Sequence, residues 1–139
     1  MTRQPDDVGS LIARAKAGDA AALGMLLETF RPYLALLARL QIGRRLQGKA
    51  DPADLVQEAF LEAHRDFPGF RGTSERELMA WLRQILARNL ANLARRYLGT
   101  RGRDVRLERN LADELAESSR VLEHGLASPQ SSPREGTYW

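Results

Sequence analysis

Residues 51–70 read "DPADLVQEAFLEAHRDFPGF", and their order dictates a helix with two unlike faces. Asp51 ahead of Pro52 supplies an N-cap and a first-turn proline, so the pattern predicts a helix over about 52–66. At about 100° per residue, Val56, Ala59, Phe60, Ala63 and the following Phe67 gather on one side, which is the core face. Asp54, Gln57, Glu58, Leu61, Glu62 and Arg65 fall on the other, with Leu55 at the boundary. Asp51, Asp54, Glu58, Glu62 and Asp66 stand against Arg65 alone, so Leu61 is stranded among carboxylates. One exposed leucine needs no special explanation. The alternative is a docking surface on which the carboxylates meet a basic partner while Leu61 and Leu55 supply desolvated contact.

The rest of the chain frames this helix. A length of 139 residues suits one ordinary domain, able to bury about two-thirds of the unfolded surface. The absence of cysteine removes disulfides, thiol nucleophiles and thiolate metal sites, and is consistent with a reducing, cytoplasmic setting. The N-terminus lacks the apolar stretch of a signal peptide. No run approaches the roughly 20 apolar residues of a bilayer span, so no membrane partner is expected. Net charge is only +3, yet all but two (Lys16 and Lys49) of the 21 basic residues are arginine, the side chain suited to phosphates and stacked bases. Their distribution therefore matters more than their total.

No window alternates with period two, while Ala, Leu, Arg and Glu recur at three-to-four spacing. The expected fold is all-α, a compact bundle of four to five helices. A first helix over about 7–17 stops at Gly18, and Asp19 can cap a second over about 20–30. Pro32 then allows either a new helix or a bent continuation to about residue 46, before the loop "QGKAD". After the apolar loop "FPGFRGT", Ser74 and Glu77 have the form of a capping box, opening the longest helix, which runs to Leu98 before Gly99. Leu107, Leu111, Leu115 and Leu122 suggest a further, loosely docked helix. The expected division is a helical domain over 1–100, a basic-to-acidic extension over 101–127 and a Ser/Pro-rich linker or tail over 128–139.

On the helix after Ser74, Leu78, Met79, Leu82, Ile85, Leu86, Leu90, Leu93 and Tyr97 form the expected core face. Trp81, Gln84, Arg88, Asn92 and Arg95 line the opposite one, followed by Arg96. Such a face serves nucleic acid, because aromatic rings stack on unpaired bases, arginines take phosphates and amides bond base edges. Its plainer alternative is a solvated basic helix with Trp81 packed under another element. Between residues 71 and 109, ten arginines face only Glu75, Glu77, Asp104 and Glu108, and the run continues past the helix as Arg101, Arg103, Arg106 and Arg109. Asn89, near the core face, is expected to make a structural hydrogen bond. Phe67 is expected to close the core. Phe70, Arg71, Gly72 and Thr73 stand at the mouth of the stripe, where a loop could take an extruded base between a phenyl ring and a guanidinium.

Residues 51–99, with "DLVQEAFLEAHR" and the "F-RG…WL-x-x-I" elements, closely resemble region 2 of extracytoplasmic-function sigma factors, and residues 8–46 resemble the preceding helices more weakly. By that resemblance Asp54, Leu55, Gln57, Glu58 and Leu61 would dock on the clamp coiled coil of core RNA polymerase. Phe70, Arg71, Gly72, Thr73, Trp81, Gln84, Arg88, Asn92, Arg95 and Arg96 would meet the non-template strand of the minus-ten promoter element. An anti-sigma factor is a further partner the resemblance allows. Many members carry Asn seven residues after the Trp, where this chain has Arg88, so base preference does not transfer. A second helical domain, region 4, is expected to be absent.

Two alternatives remain open: an interaction protein of the same ancestry that never opens DNA, and an unrelated helical nucleic-acid-binding module. An enzyme is not expected. His64 and His124 lack metal-ligand spacing, no phosphate loop or nucleophile elbow is present, and no cofactor is called for.

Overall fold

The computed structural model describes residues 7–46, 50–98 and 106–127. Five helices, α1 (Val8–Lys16), α2 (Ala20–Arg45), α3 (Pro52–Asp66), α4 (Glu75–Leu98) and α5 (Leu107–Ala127), follow one another with a single 3-10 turn, Phe67–Gly69, between α3 and α4. Among the described residues there is no strand, as the helical periodicity requires. Sequence neighbours pack as pairs, and α2 also meets α4 and α5, so the core lies around α2 and α4.

Helices α1 to α4 each begin where the sequence supplies a cap. Asp7 accepts from the Ser10 amide at 3.2 Å, and Asp19 accepts from that of Ala22 at 3.1 Å. Between α1 and α2, Gly18 takes φ 104°, a left-handed conformation that costs glycine little and closes the turn in a few residues. Asp51 accepts from Ala53 at 2.9 Å, and Pro52 occupies the first turn, so α3 has the expected bounds. The capping box at α4 closes in both directions: Glu77 N donates to Ser74 Oγ at 3.1 Å, and Ser74 N donates to Glu77 Oε1 at 3.1 Å.

The open choice at Pro32 resolves as one continuous helix, with the proline inside α2 and facing solvent. There the carbonyl that loses its amide donor can be hydrated. α2 also corrects an expectation about composition. Within Ala20–Arg44 an 18-residue window has a mean hydropathy of 1.3, which with the helix length suffices for a bilayer crossing. Here Leu26, Leu27, Leu34, Leu37 and Ile42 are instead spent on the bundle core. No unbroken apolar run announces this in the sequence, because α2 interrupts its leucines with polar residues.

The core face of α3 holds Val56, Ala59, Phe60, Ala63 and, just beyond, Phe67, all buried as their spacing predicts. On α4, Leu78, Leu82, Ile85, Leu86 and Leu90 are buried, but Tyr97 is 50% exposed, against expectation. It lies near the helix end, beside a surface groove against α3 that also includes Ala50, Asp51, Leu93 and Arg96.

α5 is firmly seated. Leu111 and Leu115 are fully buried in the same cluster as α2 and α4. Next to them Arg83 of α4 donates through one guanidinium nitrogen to Tyr33 Oη of α2 at 3.3 Å and to Ser119 Oγ of α5 at 3.1 Å, and those two hydroxyls hydrogen-bond each other. Three helices thereby share one polar junction. Residues 99–105 and 128–139, which include Gly99, Arg101, Arg103 and the Ser/Pro-rich tail, lie outside the described residues, as do residues 47–49 of the loop before α3.

Candidate protein-docking and nucleic-acid interface

Helix α3 presents Asp54, Gln57, Glu58 and Leu61 to solvent, and Leu61 is 60% exposed. Leu55, expected to share that contact, is only 5% exposed. Its boundary position is closed off where Leu93 of α4 joins the core against it. Leu61 has company on a different side. Between α2 and α3 runs a groove of about 520 Å³ lined in part by Met25, Glu28, Arg31, Gln57, Leu61 and His64. Met25 is exposed, and the Arg31 guanidinium lies 4.7 Å from the centre of the Phe60 ring while pairing with Glu28 at 2.9 Å. The ion pair lowers the Glu28 carboxyl below its ordinary range through the hydrogen bond from Arg31. The exposed surface around Leu61 is thus built by two helices, and an α3 projection does not reveal the α2 half of it.

The loop after α3 corrects a second expectation. Phe70 is 6% exposed and offers no free stacking plane. Its ring stacks on Phe67 with centroids 5.6 Å apart and tilts against Trp81 at 5.1 Å, while Trp81 meets Phe67 edge-on at 6.0 Å. Trp81 is accordingly half-buried rather than exposed. Burying three aromatic rings against one another outweighs leaving them in water.

That cluster forms the floor beneath Arg71, Gly72 and Thr73. Arg71 and Thr73 are exposed, and Gly72 is half-buried. Lys16 of α1 donates to the Gly72 carbonyl at 2.6 Å and stands 5.6 Å over the Phe70 ring. From the other side Glu77 Oε1 accepts from Thr73 N at 2.7 Å as well as from Ser74 N, and these amides hold the carboxyl below its ordinary value. A Cβ at Gly72 would come within 2.7 Å of Glu77 Cβ and of Phe70 Cζ, so only glycine lets the strand lie this close. The loop is therefore anchored at its carbonyl, its amides and its buried ring.

Along α4 beyond the loop, Gln84, Asn92 and Arg96 are exposed, and Arg88 and Arg95 partly so. Arg95 donates to Asn92 Oδ1 at 3.0 Å. Arg88 pairs with Glu62 of α3, and Asn89 donates to Glu62 Oε1 at 3.0 Å and to the Ile85 carbonyl at 2.9 Å, the structural role expected of it. Glu62, assigned by projection to the outer face of α3, instead leans onto α4. Lys16, Glu62 and Arg83 escaped the sequence reading because each acts across a separation that helical spacing does not encode. An acid on α3 opposite an arginine-rich helix was the single available hint.

Comparison with known proteins follows this geometry. A family model for sigma-70 region 2 matches residues 29–103, from the second half of α2 through α4, and the chain belongs to that family. Its relatives are extracytoplasmic-function sigma factors. The ECF RNA polymerase sigma-E factor of Haemophilus influenzae is 32% identical over 76% of this chain and 50% of its own length. The ECF RNA polymerase sigma factor SigD of Mycobacterium tuberculosis is 32% identical over 68% of this chain and 44% of its own. For the sigma-E factor of Escherichia coli K12 the figures are 33%, 67% and 43%. The chain thus spans about half the length of the curated relatives it matches. No solved structure matches it.

Proposed function

We propose that the chain acts in transcription initiation as the region of a sigma factor that docks on core RNA polymerase and engages the minus-ten promoter element. Leu61 carries the reading: a leucine 60% exposed among Asp54, Gln57 and Glu58, within the segment matched to region 2. Those carboxylates suit a basic coiled coil, Leu61 and Met25 supply its desolvated centre, and the groove between α2 and α3 widens the surface. On α4, Gln84, Arg88, Asn92, Arg95 and Arg96, with Arg71 and Thr73 of the loop, offer phosphate and base-edge contacts to a single strand. Gly72 packs against Glu77 and Phe70 and so holds the loop with Arg71 and Thr73 exposed. The work in this reading is binding and strand capture, in the cytoplasm where such a polymerase acts.

The test is binding to core RNA polymerase by the wild-type chain and by Leu61→Asp. A charge at the centre of a packed contact costs on the order of 2 kcal/mol or more, so affinity should fall at least about 30-fold with helicity unchanged. Undiminished binding would end the docking assignment.

A second reading, docking without strand opening, draws on the burial of Phe70 and half-burial of Trp81, which reduce the aromatic surface available for stacking. A single-stranded oligonucleotide carrying 2-aminopurine separates the two. Fluorescence quenched by stacking or raised by base extrusion on binding supports the first reading. A signal unchanged at saturating protein supports the second.

A further inference from the structure

Lys16, on the last turn of α1, differs from most of the paired cations in what holds it. Arg14, Arg31, Arg65 and Arg88 each meet a carboxylate, of Asp19, Glu28, Asp66 and Glu62 respectively. Lys16 is exposed, and neutral groups hold it: its Nζ donates to the Gly72 carbonyl at 2.6 Å and lies 5.6 Å from the centre of the Phe70 ring. Glu77 feels its charge, but that carboxylate gives Oε1 to Thr73 N, Ser74 N and Ser74 Oγ. An ammonium has three donors, and Gly72 takes one. On either side of Gly72 in the chain, Arg71 and Thr73 are exposed. A strand that meets those two residues passes within reach of a cation fixed on the residue between them.

We propose that Lys16 is a phosphate contact of the strand-capture site, delivered from α1 and held at the loop by the Gly72 carbonyl. The inference rests on the DNA reading of the loop and α4, and adds to it a residue from a helix that precedes the segment matched to region 2. A free lysine stem loses rotamer freedom when it grips a phosphate. Here the carbonyl and the phenyl ring already confine the stem, so less freedom remains to be lost on binding. Because no carboxylate must first be displaced, the full charge is available to the phosphodiester, and its contact releases counterions from the strand. The competing role is a tether alone, in which the hydrogen bond supports the loop and the charge is idle. The two differ in salt dependence, since a tether neutralises no phosphate.

The experiment measures binding of a fluorescein-labelled, AT-rich single-stranded DNA oligonucleotide to the full chain by anisotropy, across a range of salt concentrations. Lys16→Gln and Lys16→Ala should each make the log–log salt slope shallower by about 0.7, one single-strand phosphate contact, and weaken binding about fivefold at 0.1 M salt. Lys16→Arg, which keeps charge and donor, should restore the slope. Circular dichroism and the urea midpoint report any loss of folding, which does not imitate a change of slope. Arg14→Ala removes another α1 cation, one already paired with Asp19, and should leave the slope unchanged. An equal flattening by Arg14→Ala would mean a general effect of net charge and would overturn the assignment. So would affinity lost in Lys16→Gln and Lys16→Ala at the wild-type slope, the signature of a tether. Arg95→Ala and Arg71→Ala report on the underlying reading: if both leave affinity and slope untouched, the DNA face itself is wrong and the Lys16 contact falls with it. If they weaken binding while Lys16→Gln changes neither quantity, the Lys16 contact alone is refuted.

Discussion

Gly72 concentrates the demands of the loop into one missing methyl group. Its neighbours within 2.7 Å are Glu77 Cβ, carried on the backbone of α4, and the buried edge of Phe70, and neither is the loose end of a flexible side chain. Gly72→Ala should therefore destabilise the fold by about 1–3 kcal/mol, read from the urea midpoint, because the loop must shift to relieve the overlap. Single-strand binding should weaken in the same variant. Helical spacing identified Gly72 as a breaker and as part of a DNA-facing loop, but not as a site of close packing. Its tightness comes from Phe70 folding back onto Trp81, and no periodicity within the chain predicts that a loop phenylalanine turns inward. Leu61 is the reverse case: its exposure follows from the 3.6-residue period alone, since nothing packs over it.

At the scale of the element, α4 begins on a cap that titrates. Hydrogen bonds from the Thr73 and Ser74 amides, in that order of effect, favour the charged Glu77 carboxylate and place its pKa below the ordinary 4.5. A depressed pKa means the stabilisation is fully present above about pH 4.5 and is lost as pH falls through the lower folded value. In an acid titration followed by NMR, the Thr73 and Ser74 amide signals should move together below that value, and Glu77→Gln should abolish the movement. Ser74→Ala removes the reciprocal half of the box and should cost about 1 kcal/mol. The box was legible as Ser-x-x-Glu; the added bond from Thr73 was not, because it depends on the path of the loop. Helix α5 was legible as a leucine pattern but not as a firmly seated element. Beside Leu111 and Leu115 it is held by Arg83, which looks like any surface arginine until Tyr33 and Ser119 surround it. Leu115→Ala should destabilise by about 2–5 kcal/mol, the range for a fully buried leucine.

For the molecule as a whole, the buried cluster runs without a break from Leu11 of α1 to Leu115 of α5. One cluster implies one cooperative unit. The chain has two tryptophans, Trp81 and Trp139, so in a Trp139→Phe background the fluorescence reports on the aromatic floor beside the loop. Urea unfolding followed by that signal and by helical circular dichroism should give coincident transitions. An earlier transition by either probe would mean that α5 or the loop opens by itself. Bulk charge is a poor guide at this scale: a net +3 conceals an acidic α3 set beside a basic α4, and the two meet in an ion pair at Glu62. The faces could be read from the sequence because each belongs to a single helix, whereas the seam required the packing angle between two.

The hydrogen bond from Lys16 to Gly72 spans 56 positions of sequence and ties the last turn of α1 to the loop before α4. Anything that displaces α1 is thereby felt at that loop. A bulky affinity tag fused ahead of Met1 would be a poor neutral handle for this protein, and a DNA-binding defect measured with one should be rechecked with the tag moved or cleaved. The same tether makes Lys16 a place from which to detune promoter capture while leaving polymerase attachment alone.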